Sequence, residues 1–98
     1  MMVSEVMIAG RVYEIGGGTE GDVRKTVPYA IVSCNGVTST AGIDGGYVLR
    51  IPQDKMISGP HEASCIAENR AKEIVKINYN KEGILHQDFY LWPMVQYS

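Results

Sequence analysis

Two histidines and their acidic neighbours are the residues of this chain best placed to do chemistry, standing in His61-Glu62 and in His86-Gln87-Asp88. On a strand, adjacent side chains point to opposite faces, so His61 and Glu62 cannot act together, whereas His86 and Asp88 share a face and can. Such a pair could shuttle a proton or supply two ligands to a metal. A catalytic metal centre takes three protein ligands and an open position, and no third partner is evident. No metal, cofactor or catalytic residue is therefore expected, and a solvated polar face is the preferred reading.

A second set of residues has the chemistry of a binding surface. If Phe89 and Leu91 point inward, then His86, Tyr90 and Trp92 lie along the outer face of the last strand. With Tyr29 added, such a stripe would suit sugar stacking or a protein contact. The competing reading is that Tyr90 and Trp92 cover a loop or the end of the domain. Cys34 and Cys65 both fall on inward faces of strands that can be neighbours. A disulfide is open to them if their Cα atoms approach to about 5.5 to 6 Å. Free core thiols are the other reading and the favoured one, since nothing in the sequence signals an oxidising compartment.

Gly16-Gly17-Gly18-Thr19-Glu20-Gly21 fits the G-x-G-x-x-G pattern of a nucleotide loop. That chemistry needs a helix opening directly after the glycines, so that its N–H groups face the phosphates. The chain instead reaches Pro28 within seven residues, which leaves a glycine loop and no nucleotide site.

The elements that must position these residues are strands. Residues 3–13 alternate, with Val6, Ile8, Gly10 and Val12 on one face and Met7, Ala9, Arg11 and Tyr13 on the other. A long polar loop over residues 15–27 follows. Residues 28–34 put Ala30, Val32 and Cys34 on one face, and Asn35-Gly36 signals a type I′ hairpin into residues 37–41. Asp44-Gly45-Gly46 reads as a second hairpin turn, ahead of Tyr47, Leu49 and Ile51 alternating with Val48 and Arg50 up to Pro52. Residues 61–68 put His61, Ala63, Cys65 and Ala67 on a small inner face, which calls for bulk opposite. Residues 72–79 alternate despite a helix-forming composition, Asn80-Lys81-Glu82-Gly83 is a turn, and residues 84–92 form the last strand. The expected fold is all-β: a seven-stranded antiparallel, Ig-like β-sandwich of Greek-key type.

Composition bounds the function. At 98 residues the chain is expected to be one domain, with a core over about residues 6–92. A domain of this size buries roughly 60 to 65% of its unfolded surface. The net charge of −2 and the dispersed lysines and arginines argue against a nucleic-acid partner. No run of about 18 apolar residues exists to insert in a membrane. Met1-Met2-Val3-Ser4-Glu5 lacks the basic and apolar regions of a secretory signal. The chain is accordingly expected either to stay inside the cell or to be a piece of a longer protein.

With the strands laid out, the pattern resembles the carboxypeptidase regulatory-like domain, a transthyretin-like or prealbumin-like sandwich. Gly10-Arg11-Val12 looks like that family's opening strand, and Pro28-Tyr29-Ala30-Ile31-Val32 looks like its second element. Thr40 with Gly45, Tyr47 and Leu49 resembles the third, and Asp88-Phe89-Tyr90-Leu91 the last. The loop before Pro28 is longer than usual, and Ala41-Gly42 stands where an acidic residue often follows the threonine. The resemblance implies a non-catalytic accessory module, a spacer or contact surface for protein or sugar, in a larger cell-surface or extracellular protein. A protein partner or self-association through a sheet edge or aromatic face is expected, with a small carbohydrate-binding module as the alternative. The hydrolases of this fold end in tyrosine-arginine-glycine-serine, whereas this chain ends Val95-Gln96-Tyr97-Ser98. A hydrolase around His61 or His86 is thus a distant alternative.

Overall fold

A computed structural model describes residues 5–15, 25–80 and 84–94. The G-x-G-x-x-G stretch, most of the polar loop, the greater part of the turn at residues 80–83 and the C-terminal Tyr97-Ser98 lie outside the described residues.

The described chain is all-β, with two sheets in an open sandwich. Its strands are β1 (Glu5–Glu14), β2 (Lys25–Thr26), β3 (Ile31–Cys34), β4 (Val37–Thr40), β5 (Gly46–Pro52), β6 (Gly59–Ile66), β7 (Glu73–Tyr79), β8 (Ile84–His86) and β9 (Phe89–Leu91). A single 3₁₀ turn, Gln53–Lys55, links β5 to β6. The first sheet is centred on β1, which pairs with β5 and β2 along one edge and with β8 and β9 along the other. The second runs β4-β3-β6-β7, antiparallel throughout. Among the described residues no helix is long and apolar enough to cross a membrane.

Nine strands stand where seven are expected, for two physical reasons. Lys25–Thr26 makes a short added pairing with the end of β1. The last strand is also interrupted, although its register against β1 stays constant from Met7 opposite Ile84 to Glu14 opposite Leu91. At the break, the Arg11 N–H donates to the Asp88 side chain at 2.9 Å instead of to a backbone carbonyl. The pairing of β1 with β8 and β9 is parallel, and every other pairing is antiparallel.

The second correction concerns Asp44-Gly45-Gly46. The turn is tight, with Gly45 at φ +81°, but it closes no hairpin, because β4 and β5 belong to different sheets. The Gly45 carbonyl accepts the Val12 N–H at 2.9 Å, so the turn docks on β1 and carries the chain across the sandwich. The Asn35-Gly36 turn does close a hairpin, with φ of +52° and +84° as a type I′ turn requires.

Alternation places the core where the sequence puts it. Val6, Ile8, Val12, Leu49, Ile51, Phe89 and Leu91 from the first sheet meet Val32, Ala63, Cys65, Ile77 and Tyr79 from the second, all buried. Tyr47 and Phe89, whose rings sit 5.8 Å apart, add bulk to the core that Ala63 and Cys65 of β6 also join. Full burial of a side chain such as Phe89 contributes about 1.5 to 3 kcal/mol.

Candidate binding face

The site is built on the outward side of the first sheet. Pairing aligns Ala9 with Val48 on one side and His86 on the other, and sets Arg11 opposite Gly46. Two residues with almost no side chain, Ala9 and Gly46, therefore lie among larger neighbours. They leave a shallow open groove of about 710 Å³, walled by Arg11, Tyr13, Asp44, His86 and Asp88.

An ion pair and a histidine–carboxylate contact flank it. Arg11 Nη2 stands 3.7 Å from Asp44 Oδ2, and His86 Nε2 stands 3.1 Å from Asp88 Oδ1. Both are open to solvent, so each adds little to stability. The carboxylates have second duties. Asp88 Oδ1 accepts the Arg11 N–H, and Asp44 Oδ1 accepts the Gly46 N–H at 2.9 Å.

Beneath the groove the backbone is tightly fitted. The Tyr47 hydroxyl crosses over Gly10 and donates to the Gln87 carbonyl. A Cβ on Gly10 would lie 2.0 Å from that carbonyl oxygen, so only glycine lets the strands approach here. Burial pushes the Tyr47 hydroxyl well above its ordinary range, with Asp88, Cys65 and Cys34 adding smaller contributions in the same direction. It acts as a neutral donor at any physiological pH.

The structure brings together some of the expected residues and separates others. His86 and Asp88 are in contact, as their shared face implies. Tyr90 lies on the same side, its ring stacked on Tyr13 at 5.5 Å and 16°, while its N–H donates to Glu73 Oε1 at 2.9 Å. Trp92 follows β9 and is 60% exposed, its carbonyl accepting the Ala71 N–H. Tyr29 does not join the stripe. It leads into β3 of the second sheet, and its ring lines a separate hollow with Ile31, Ile66, Ala67 and Glu68.

His61 serves the fold locally. Its Nε2 bonds the Ile57 carbonyl and its Nδ1 meets Asn35 Nδ2 at 3.0 Å, which ties the β3–β4 turn to the start of β6. Cys34 and Cys65 are buried free thiols. Cys34 faces Ala63 and Cys65 faces Val32, so the two are diagonal neighbours. Diagonal positions stand roughly 7 to 8 Å apart, beyond the Cα spacing of about 5.5 to 6 Å typical of a disulfide. Burial raises both thiols, Cys65 to about 12.

Among the described residues no three His, Cys, Asp or Glu side chains converge as metal ligands. Arg11, Tyr13, Asp44 and Val48 are the wall residues that the sequence reading leaves out. The alternation of β1 puts Arg11 and Tyr13 on the outer face, but only the pairing of β1 with β5 and β8 shows that they surround a depression. No protein-family model matches the chain, and no curated protein matches it.

Proposed function

We propose that the chain is a non-catalytic accessory module of the carboxypeptidase regulatory-like kind, acting as a structural and protein-contact unit within a larger protein. One observation carries this reading: three polar side chains in the stretches that resemble the family, Asp44, Tyr47 and Asp88, are engaged within the fold. Tyr47 holds the Gln87 carbonyl, Asp88 holds the Arg11 N–H, and Asp44 holds the Gly46 N–H. Catalysis asks for polar groups held free for a substrate, in a site that excludes water. The His86 side chain is 75% exposed on an open surface instead. The contact surface under this reading is the outer face of the first sheet, where exposed Val48 and Ile84 adjoin the charged groove walls.

The test is thermodynamic, because residues kept for chemistry commonly cost stability and their removal often restores it. Tyr47→Phe and Asp88→Ala should each destabilise the protein, and a gain in stability from either would overturn the proposal.

A second reading has its own observation. The Tyr13–Tyr90 stack beside a groove walled by Arg11, Asp44, His86 and Asp88 offers an aromatic surface next to planar hydrogen-bonding groups, the combination that suits a sugar. Under it, titration with a panel of oligosaccharides shifts the amide resonances of Arg11, Tyr13 and His86. A spectrum unchanged across the panel would rule sugar binding out.

A further inference from the structure

The four outer strand edges of the sandwich differ in how they are defended. Exposed edges invite pairing with another chain, and proteins protect them with charge, proline or irregularity. On β7, Lys76 sits mid-strand and Lys72 just before it. β5 carries Arg50 and closes on Pro52. The β8–β9 edge is broken at Gln87-Asp88. β4 has none of these, and residues 35–43 contain no charged side chain.

Its backbone phase is set by the bond from the Ala41 N–H to the Ala30 carbonyl. Residues 37, 39 and 41 turn their N–H and C=O groups toward β3, so Thr38 and Thr40 turn theirs away from it. Among the described residues β3 is the only strand paired with β4. Thr38 and Thr40 are exposed, and the open groove reaches Ser39 and Thr40, so the edge is accessible.

We infer that β4 is a self-pairing edge: two copies of the chain join antiparallel about a two-fold axis at Ser39, with Thr38 of each opposite Thr40 of the other. Two features select a second copy as the occupant. Val37-Thr38-Ser39-Thr40-Ala41 is nearly symmetric about Ser39, so the outward groups of Thr38 and Thr40 form two reciprocal hydrogen-bonded pairs across the axis. Threonine opposite threonine is also a favourable cross-strand pair. Charge agrees, since the axis brings no like charges together, whereas pairing β7 with itself would crowd its lysines. The two four-stranded sheets become one continuous sheet. This goes beyond the proposed function and does not depend on it.

The experiment is sedimentation equilibrium of the full chain over a concentration series, with circular dichroism confirming the fold of each variant. The parent is expected to reach twice its 10.8 kDa mass. Thr38→Lys with Thr40→Lys places lysine opposite lysine, and doubling is lost. Thr38→Lys with Thr40→Glu places lysine opposite glutamate, and doubling returns. In the parent, hydrogen exchange at the Thr38 and Thr40 amides slows as concentration rises. A parent that stays at the single-chain mass, a double-lysine variant that still doubles, or a lysine-glutamate variant that does not recover would each overturn the inference.

Discussion

Gly10 carries more of this fold than its size suggests. It sits in the central strand, opposite Tyr47, at the point where the Gln87 carbonyl leans over β1. An added Cβ would meet that carbonyl carbon at 2.6 Å and Asp88 Oδ1 at 2.8 Å, both backbone or anchored groups. Gly10→Ala should therefore lower the free energy of unfolding by about 1 to 3 kcal/mol, the range of overpacking in a tight site, as read from urea denaturation. An unchanged midpoint would mean that β8 and β9 yield easily. The sequence marks Gly10 as an inward position of an alternating strand, and nothing local says what it must clear, since Gln87 lies at the other end of the chain. Cys65 gives a prediction of a different kind. Burial raises its thiol from 9.0 to about 12. The unfolded chain thus loses this proton first, and stability is complete below about pH 9 and falls as pH climbs toward 12. The slope approaches about 1.4 kcal/mol per pH unit for one such thiol. Urea midpoints measured from neutral to alkaline pH should show the decline, and Cys65→Ala should make it shallower, with Cys34 and Tyr47, also raised by burial, contributing the remainder; a variant with the parent's slope would place the titration elsewhere.

At the scale of elements, the two glycine-containing turns of the middle of the chain show what local sequence can and cannot say. Asn35-Gly36 reads correctly as a hairpin, because a two-residue turn with both φ values positive forces the flanking strands to pair. Asparagine adds a further tie there, donating to the Lys55 carbonyl at 2.8 Å and meeting His61. Asn35→Ala is expected to cost about 1 to 2 kcal/mol, through both the left-handed backbone and the lost bonds. Asn35→Gly keeps the backbone freedom and should cost less, and thermal melts of the pair separate the two contributions. If glycine and alanine cost the same, the side-chain bonds carry the whole effect. Asp44-Gly45-Gly46 looks equally like a hairpin, yet its outcome depends on a distant strand. Val12 takes the Gly45 carbonyl, so the turn becomes a crossing between sheets. The last strand shows the same limit: its alternation is legible from Leu85 to Leu91, but its interruption comes from Arg11 and Tyr47, which the local sequence does not contain.

For the molecule as a whole, two-residue alternation was sufficient to divide nearly every strand into inner and outer faces, and hence to give an all-β sandwich and most of its core. Sheet membership was not legible, because strands of similar pattern can pair in several orders and the parallel alignment of the first strand with the last depends on contacts across the full chain. The candidate face shared that fate. His86, Asp88 and Tyr90 were legible from the alternation of the last strand, whereas Arg11, Tyr13 and Asp44 join them only once three strands are aligned. Tyr29 keeps the exposed side it shares with Ile31, as alternation gives it, but it leads into β3 of the second sheet, whereas His86 and Tyr90 belong to the first, and sheet membership is what the local pattern does not contain. The proposed function rests on one claim: that the polar residues around the β1–β8–β9 seam serve to hold the sandwich together. The free energy of unfolding of Tyr47→Phe and Asp88→Ala, by urea denaturation at neutral pH, tests it most directly. Losing the hydroxyl or the carboxylate leaves a carbonyl or an N–H in the seam without its partner, at a cost of about 1 to 3 kcal/mol. A loss of that size in both variants is the predicted result, and a variant as stable as the parent, or more stable, contradicts the account.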